Sequence, residues 1–398
     1  MKRLLCWIAV LLLACAGRTA QQPLLRVGTS GDYVPFSQQG PAGRRDGFDV
    51  AMARAYARDR GLAIRWVPVR WSTLDHDFGA GHFDIVMSGV TIRPERSAAG
   101  RFSVPVAMSG AVLLAASDRL PAGARIVVNA GGHLERVARR LFPAATLRPL
   151  SPNSAVRQAL LSGAADAAVS DTLEAASWLE GTSGFRVLGP FTRDWKAYWL
   201  PAGAGERASD LDAWLLAREA DGSLAALRAR YLPEPAREPS ATALVALGAA
   251  IEERLSLMPL VAEAKRAAGT PIRVPAQEQA VLDAALVSVR EAAVRDAATP
   301  LPDTAVRDFF VALIDAAREV QEETLSAPAA DTAPARLEQV LRPALARISE
   351  RIAWLLVRLP EALDESAVKD ALEPLSQAGV TPATKGRIGR ALQGLRGP

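Results

Sequence analysis

The side chains best placed for chemistry are basic residues in both halves of the chain. In the C-terminal half, Arg254 and Lys265 stand eleven residues apart, almost three turns of a helix, so on one helix they share a face. At about 1.5 Å per residue their α-carbons would lie roughly 16 Å apart, and two long cationic side chains can converge on a substrate between them. In the N-terminal half, Arg96 follows a predicted strand that ends at Gly89. Each half is therefore a candidate for binding an anion.

The elements that must position these residues differ between the halves. From residue 24 to about residue 232, short apolar runs that end in Gly, Ser or Asn alternate with stretches of helical period, such as residues 49–61 and 155–163. This alternation predicts a mostly parallel α/β sheet whose ligand crevice lies at the carboxyl ends of the strands. The runs predicted as buried strands are LLRVGTS, AIRWVPV, FDIVMSGV, AVLLAAS and RIVVNAGG.

A joint separates this region from a helical one. Residues 232–241, LPEPAREPSA, contain three prolines. Beyond them, segments rich in Ala, Leu, Arg and Glu keep a helical period and break only at residues 269–271, 299–302 and 327–334. This pattern predicts a helical bundle with short connections.

Length and composition agree with two folded units. The chain has 398 residues, which is too many for one ordinary hydrophobic core. Apolar residues make up 49% and charged residues 23% of the sequence, as in globular proteins. The net charge is only +4 and the basic residues are spread along the chain, which argues against nucleic acid as a partner.

The N-terminus predicts export. Lys2 and Arg3 precede an apolar stretch over residues 4–14 that is too short to span a bilayer, and small residues follow. We predict a signal peptide over residues 1–20, a periplasmic protein, and no transmembrane segment once the signal is removed. The run LLAC at residues 12–15 approximates a lipoprotein box, so a lipid anchor at Cys15 is an alternative.

The remaining reactive residue types exclude some chemistry. Both cysteines, Cys6 and Cys15, fall within the predicted signal segment, so no disulfide or cysteine nucleophile is expected in the mature chain. The three histidines show no metal-ligand spacing, and we expect no metal site.

The α/β region resembles the periplasmic solute-binding proteins for polar amino acids. The resemblance covers residues 24–235 and rests on GTSGDYVPFS (28–37), GFDVAMARAYA (47–57), FDIVMSGVTIRPER (83–96) and FSVP (102–105). It implies two α/β lobes that close around a ligand, with Arg96 as a bidentate clamp on a carboxylate. It also implies donors at Ser88 and Thr91, and aromatic walls at Tyr33 and Trp71.

Within that family the region looks most like the secreted cyclohexadienyl dehydratases. The motifs are RWSTL (70–74), VNAGG (128–132), SDTLEA (170–175) and KAYWLP (196–201). Those enzymes convert prephenate to phenylpyruvate, and arogenate to phenylalanine, by losing water and CO2. The resemblance implies that Glu174 is the general acid, which requires burial to hold its pKa well above about 4.3. It further implies that Lys196 holds the substrate anion, and that Asp171 orients the site or pairs with an amino group.

One stretch departs from the dehydratase pattern. This chain has His133 and Leu134 after two glycines, where the dehydratases have Gly-Gly-Thr-Asn-Glu. Gly132 and His133 are still expected in the substrate site, with an imidazole in place of a hydroxyl.

Residues 242–398 resemble the all-helical chorismate mutases of the secreted class. The matching stretches are residues 251–284, VRDFFVALIDAAREVQ (306–321) and LRPALARI (341–348). Chorismate rearranges to prephenate without covalent help, so the enzyme only holds a folded dianion and stabilises charge at the ether oxygen. The roles that the resemblance implies are carboxylate binding by Arg254, ether-oxygen contacts from Lys265 and Gln321, a ring-hydroxyl contact from Glu278, and an arginine supplied by the chain's own later helix at Arg342.

The helical region also departs from its family. Val274, Gln277 and Ala317 stand where the family usually has aspartate, arginine, and Ser or Thr. Losing such polar groups could cost about 100-fold in rate if they act in the transition state. A mutase of reduced activity, or a structural role, is therefore an open alternative.

Together the resemblances imply a bifunctional enzyme of phenylalanine biosynthesis outside the cytoplasm. It would use small-molecule substrates and no cofactor, and a homo-oligomer is left open. A different reading is a non-catalytic receptor for an amino acid or carboxylate that feeds a transporter. A third is a chain in which only the dehydratase is active. The fold alone does not separate these functions.

Overall fold

The computed structural model describes residues 22–234, 236–329 and 333–396. The predicted signal segment, with Cys6 and Cys15, lies outside the described residues. Within them an α/β part is followed by an all-helical part, which confirms the predicted fold class. No described helix is long and apolar enough to cross a membrane.

The α/β part is built on two main sheets. Its strands are β1 (Leu24–Thr29), β2 (Asp32–Tyr33), β3 (Ser37–Gln39), β4 (Arg45–Asp46), β5 (Ala63–Pro68), β6 (Ile85–Val86), β7 (Gly100–Phe102), β8 (Ala107–Ser109), β9 (Ala111–Ala115), β10 (Arg125–Asn129), β11 (Thr146–Leu150), β12 (Ala167–Asp171), β13 (Arg186–Leu188), β14 (Asp194–Lys196) and β15 (Trp199–Pro201). One sheet has the order β5-β1-β6-β15-β7 and the other β11-β10-β12-β9-β13. They form the cores of two lobes, which we call lobe 1 and lobe 2.

Helices cover both sheets. They are α1 (Phe48–Asp59), α2 (Leu74–Gly79), α3 (Pro94–Ala99), α4 (His133–Leu141), α5 (Asn153–Leu161), α6 (Thr172–Leu179), α7 (Gly205–Ala220) and α8 (Ser223–Tyr231). Each sheet has a parallel centre, β5-β1-β6 or β11-β10-β12, and antiparallel strands beside it. The expectation of a buried strand at β5 is wrong, since β5 lies at a sheet edge and is only half-buried.

Two short strands connect the lobes. The chain leaves lobe 1 through β8 and returns through β14, and these strands pair antiparallel, with Ala107 opposite Lys196. The carboxyl ends of the central strands of both sheets face the space between the lobes. That space is where a ligand crevice is expected in such a fold.

The helical part contains no strand within its described residues. Its helices are α9 (Ala243–Ser256), α10 (Met258–Ala268), α11 (Pro275–Arg295), α12 (Asp303–Ser326), α13 (Arg342–Leu356), α14 (Glu365–Leu372) and α15 (Pro382–Gly394), with a π-helical turn over Leu337–Leu341 before α13. Breaks occur as predicted at residues 269–271, at residues 299–302 and from Ala327 onwards. Two further breaks, after Leu356 and after Leu372, were not predicted. The proline-rich joint lies between α8 and α9.

One helical prediction is wrong. Arg254 and Lys265 do not share one continuous helix, because the chain breaks at Leu257 between α9 and α10. Pro259 explains the break, since a proline has no N–H to donate to the preceding turn. Both side chains still reach a common cavity.

The two parts pack against each other through lobe 1. Helix α13 contacts α3 and β7, and α9 also contacts α3. Buried apolar residues of lobe 1, such as Leu211, belong to the same continuous cluster as Ile251 of the helical part. The helical part therefore extends the core of lobe 1.

Candidate active sites

The first candidate site lies between lobes 1 and 2, and we call it the cleft. It is lined by polar and aromatic side chains from both lobes: Tyr33, Trp71, Gly89, Thr91 and Arg96 from lobe 1, Asn129, Gly132, His133, Leu134, Asn153 and Glu174 from lobe 2, and Lys196 from β14. Its free volume is about 40 Å³. By the same measure one water molecule needs about 10–15 Å³, so the cleft has room for a few waters and must widen to admit a ring-sized ligand.

Two glycines shape the cleft wall, and one of them, Gly131, lets the two lobes come this close. Gly131 has a φ of +74°, and a Cβ there would lie 2.5 Å from the α-carbon of Ser72 on the other lobe. Gly89 has a φ of +65°, and a Cβ would lie 2.4 Å from the Tyr33 ring. Neither position accommodates a side chain without displacing the cleft wall.

Glu174 is a buried carboxyl group at the start of α6, with 2% of its surface exposed. Its Oε1 accepts a hydrogen bond from Asn153 Nδ2 at 2.8 Å and its Oε2 accepts one from Ser170 Oγ at 2.9 Å. Burial raises the pKa of Glu174 well above its ordinary value, and the negative charge of Asp171 raises it further. A carboxyl group in this environment holds its proton and can act as an acid.

Lys196 stands at the centre of a buried polar network. Its Nζ donates to Thr91 Oγ1 and to Tyr33 Oη, both at 2.9 Å, and lies 3.3 Å from Asp171 Oδ2. Asp171 also accepts from the Tyr33 hydroxyl, and its Oδ1 caps α6 by accepting from two backbone N–H groups, one of them that of Glu174. Both oxygens of the Asp171 carboxylate therefore bind groups of the protein itself.

Arg96 is buried on α3, with 2% of its surface exposed. Its Nε donates to Asp75 Oδ1 at 3.1 Å, and its guanidinium lies 6.0 Å from the Trp71 ring centroid. Burial, reinforced by the neighbouring charge of Arg93, lowers the pKa of Arg96 to about 10. Among the described residues, Nη2 of Arg96 has no partner. A buried cation with a free donor beside a cleft is suited to binding a carboxylate.

His133 begins α4 at the edge of the cleft. Its Nε2 lies 3.0 Å from Asp194 Oδ1. Burial raises the pKa of Asp194, but the neighbouring His133 lowers it by more, so this pKa lies below its usual value. The imidazole therefore lies beside a carboxylate on β14.

The second candidate site is a cavity of about 400 Å³ among the helices of the helical part, which we call the helical cavity. The residues that sequence reasoning selected all line it: Arg254, Lys265, Glu278, Gln321 and Arg342. Apolar side chains such as Val261, Ile314 and Leu345 form the remaining wall. The cavity has the size and the mixed lining of a small-molecule site.

Arg254 is the most buried cation of this cavity, with 6% of its surface exposed. In the described part of the chain, its Nε and Nη1 have no partner. Burial lowers its pKa to about 10. An unpaired buried charge is costly for a folded protein, so this guanidinium is suited to binding an anion.

Lys265 lies on α10, facing the same space. Its Nζ donates to the backbone oxygen of Ile272 at 2.6 Å. Burial lowers the pKa of Lys265, as does the nearby charge of Arg342, while Glu278 acts in the opposite direction. Arg342 itself pairs with Glu338 at 2.9 Å, so its guanidinium is held at the cavity wall by a residue one turn away.

Gln321 and Glu278 supply polar groups to the cavity. Gln321 Nε2 donates to the backbone oxygen of Ala317 at 3.0 Å, and its Oε1 is without a partner among the described residues. Glu278 Oε1 lies 3.9 Å from Nε of Arg318. Arg318, which sequence reasoning did not select, therefore stands among the cavity residues as a further cation.

Comparison with known proteins assigns the α/β part. Residues 25–234 match the family of bacterial extracellular solute-binding proteins, family 3. The chain belongs to this solute-binding family. The cyclohexadienyl dehydratase of Pseudomonas aeruginosa is 32% identical over 220 residues, which are 52% of this chain and 82% of that protein. The L-cystine-binding protein TcyJ of Escherichia coli is 27% identical over 225 residues, 54% of this chain and 84% of that protein.

A solved structure and a second family complete the comparison. The ancestral amino acid-binding protein AncCDT-1, described as a precursor of cyclohexadienyl dehydratase, matches the solute-binding domain with a TM-score of 0.50 at 31% identity, covering 53% of this chain and 96% of that one. Residues 245–322 match chorismate mutase type II. A solute-binding domain is thus joined to a chorismate mutase domain, and a dehydratase relative supports a bifunctional role in aromatic biosynthesis.

Two predicted residues of the solute-binding domain do not line the cleft. Ser88 is fully buried, and its Oγ accepts from the backbone N–H of Ser30 at 3.0 Å. Asp171 lies behind the wall, where it holds Tyr33, Lys196 and α6. Both residues support the cleft from outside it.

Other cleft residues were missed by sequence reasoning. Asn129 ends β10 within the motif VNAGG, and its Nδ2 donates to Asn153 Oδ1, which continues the chain of hydrogen bonds to Glu174. Asn129 could have been found from its motif. Asn153 carried no such signal, because it starts a helix that no quoted motif includes.

The departures in the mutase domain have visible consequences. Val274 precedes α11, so the first turn of that helix has no side-chain cap. Ala317 lines the cavity without a polar group, and Gln277 presents an amide. Arg318 lies on the same cavity wall and restores a positive charge.

Proposed function

We propose that this chain is a bifunctional enzyme: its mutase domain converts chorismate to prephenate, and its solute-binding domain converts prephenate to phenylpyruvate with loss of water and CO2. The observation that carries the proposal is the buried carboxyl group of Glu174, which lines the same cleft as Arg96 and Lys196 and whose pKa is raised by burial. An acid that can hold its proton beside a carboxylate clamp is what the loss of the ring hydroxyl requires. The helical cavity, which presents cations for a dianion, would make the substrate that this cleft consumes.

In the dehydratase step, Arg96 binds a substrate carboxylate through its Nη2, which has no partner within the residues that the structure describes, and Lys196 adds positive charge to the cleft. Tyr33 and Trp71 enclose the ring. Glu174 gives its proton to the ring hydroxyl, and the C–O bond breaks to release water. The electron pair of the ring–carboxylate bond moves into the ring as CO2 departs, so that the ring becomes aromatic. Asn153 and Ser170 keep the carboxyl oriented throughout. The reaction needs no electron acceptor, and Glu174 regains its proton from solvent before the next turnover.

In the mutase step, the cations of the helical cavity hold chorismate in its folded conformation. Arg254 provides a desolvated guanidinium for a carboxylate, and Lys265 with Gln321 donates to the ether oxygen as its bond to the ring lengthens. Glu278 accepts from the ring hydroxyl. The protein exchanges no proton or electron with the substrate, so catalysis rests on orientation and preformed charge.

Incubation of the purified protein with chorismate, and separately with prephenate, tests the proposal. We expect phenylpyruvate from both, detected by its absorbance in alkali. Phenylpyruvate from prephenate alone would leave only the dehydratase. Product from neither substrate, with tight binding of an amino acid, would favour a transport receptor instead.

Arogenate should be a poorer substrate than prephenate. The carboxylate that would pair with an amino group, Asp171, is occupied by Lys196, Tyr33 and the N-terminus of α6. An α-amino group would then meet cations without a free counter-charge. We expect a kcat/KM for arogenate about tenfold or more below that for prephenate, measured on the same protein preparation. Equal values would mean that Asp171 is released when a ligand binds.

The dehydratase should lose activity as the pH rises. Glu174 acts in its protonated form, and its pKa lies above the ordinary value, so activity is present below that raised pKa and is lost above it. The expected profile of kcat/KM for prephenate is flat at low pH and falls about tenfold per unit above the raised pKa. A profile that instead fell on the acid side, near about pH 4.3, would show that Glu174 works as a carboxylate.

Arg318→Met should weaken the mutase selectively. The substitution removes a cation that pairs with Asp315 and whose Nε lies 3.9 Å from Glu278, without a hydrogen-bond partner in the described ranges. The loss of one charged donor to a substrate costs about 10- to 100-fold. We expect this loss in kcat/KM for chorismate, with substantial recovery in Arg318→Lys and unchanged conversion of prephenate. Arg307→Met, on the same helix but 42% exposed, is the matched control. A loss below threefold would exclude Arg318 from the site.

We further propose that the protein works in the periplasm. Its family consists of extracellular solute-binding proteins, and the N-terminal sequence has the features of a signal peptide. Fractionation of cells that express the whole chain tests the location.

A further inference from the structure

Helix α3, which carries the carboxylate clamp Arg96, is short and ends at the surface of lobe 1. It spans only Pro94–Ala99. The last carbonyl groups of a helix have no partner within the helix, and in so short an element they are a large share of its backbone. The oxygen of Arg96 accepts from the indole of Trp199 at 3.1 Å. The oxygens that follow it need donors from elsewhere.

Those donors come from the mutase domain. Nη2 of Arg347, on α13, lies 3.3 Å from each of the backbone oxygens of Ser97, Ala98 and Gly100. A guanidinium at this position satisfies the free carbonyls and complements the negative end of the helix. Arg347 thus caps the helix that bears the clamp, although it is 251 residues away from Arg96 in the sequence.

A second arginine fixes the same contact. Arg351, one turn further along α13, donates to the backbone oxygen of Phe102 on β7 and pairs with the buried carboxylate of Glu253 on α9. Both arginines therefore join the segment from α3 to β7 to the mutase domain. The first residue of α13 is Arg342, which lines the helical cavity, so one helix lines that cavity and also contacts the helix that carries Arg96.

We propose that Arg347 is a positioning residue for the dehydratase cleft, supplied by the mutase domain. It touches no substrate. By capping α3 it holds the backbone from which Arg96 reaches the substrate carboxylate, and the dehydratase depends on the mutase domain for the strength of that clamp. This inference rests on the proposed function and adds to it that the two activities are not independent.

The test compares Arg347→Met with the unmodified full-length protein. The methionine keeps much of the apolar length of the side chain and removes its donors. We expect the KM for prephenate to rise about tenfold while kcat changes less than about threefold, because a carboxylate clamp contributes to binding of both the ground state and the transition state. Mutase activity should stay within about twofold, and Arg347→Lys, which keeps a donor, should recover at least half of the lost affinity.

Hydrogen exchange provides a readout that needs no activity. In Arg347→Met, amides of residues 94–102 should exchange faster, while those of α5 in lobe 2 keep their rates. Arg390→Met, at an exposed site on α15, is the control and should change neither exchange nor KM. If the unmodified protein does not dehydrate prephenate, the proposed function is contradicted. The exchange rates of residues 94–102 would still show whether Arg347 holds α3 in place.

Two results would overturn the inference. One is an Arg347→Met protein whose KM for prephenate and whose exchange over residues 94–102 both match those of the unmodified chain. The other is a loss of both activities with a lowered unfolding temperature that Arg347→Lys does not reverse, since that pattern indicates general destabilisation rather than positioning.

Discussion

Replacing Glu174 by glutamine should lower the dehydratase kcat by about 10³-fold, within the range known for loss of a general acid. Glutamine has nearly the same shape as the protonated acid, so it can keep the hydrogen bonds to Asn153 and Ser170. It has no proton to give to the departing hydroxyl. The variant should therefore bind prephenate and accumulate it when supplied with chorismate, because the mutase cavity is untouched.

The measurement is phenylpyruvate formation from prephenate, together with chorismate consumption by the same preparation. Glu180→Gln serves as the control, since Glu180 follows the same helix but is exposed. Because Glu174 holds its proton, the substitution removes no charge, and the unfolding temperature should stay close to that of the unmodified protein. A Glu174→Gln protein that still dehydrates prephenate within tenfold would remove Glu174 from the mechanism.

The two sites differ in how much of them could be predicted from sequence. In the mutase domain the selected polar residues come together because each lies on a helical face that the pattern of apolar residues already orients. Arg318 belongs to the same face of α12 as Gln321, three residues later, so helical spacing alone could have selected it. The break at Leu257 was missed because apolar period continues across it, and only Pro259 marks the change.

The cleft was harder to predict because its contacts cross between lobes. The motif around Glu174 identified the acid, but its partner Asn153 comes from another helix, and the pairing depends on how α5 and α6 pack on one sheet. Asp75, which binds Arg96, lies on α2 and has no motif to mark it. Local patterns predict elements, whereas these partners depend on tertiary packing.

The contacts of Arg347 with the other domain are also beyond what local sequence patterns predict. On sequence alone it is a basic residue within an amphipathic helix, for which an exposed position is the ordinary expectation. Its role at the end of α3 becomes visible only when the mutase domain is packed on lobe 1. Joining two domains can therefore give a residue of one family's motif a second role that the motif does not predict.

Replacing Arg254 by methionine should have opposite effects on mutase activity and on stability. Arg254 is buried, and in the described residues its Nε and Nη1 have no partner. Without a ligand this charge destabilises the fold, so an apolar side chain of similar length should raise the unfolding temperature. With chorismate bound, the same guanidinium meets a carboxylate away from water, and its loss should lower kcat/KM by about 10³-fold.

The expected loss of mutase activity comes with a gain in stability. Misfolding would lower both, so the two explanations can be told apart. The test measures chorismate disappearance and thermal unfolding for Arg254→Met, with the exposed Arg390→Met as the matched control. Dehydration of prephenate by Arg254→Met should equal that of the unmodified chain. If mutase activity persisted within threefold, Arg254 would be a structural charge, and the helical cavity would bind its anion elsewhere. If Arg254→Met instead lost mutase activity and unfolded at a higher temperature, Arg254 would be a substrate-binding residue that lowers the stability of the fold.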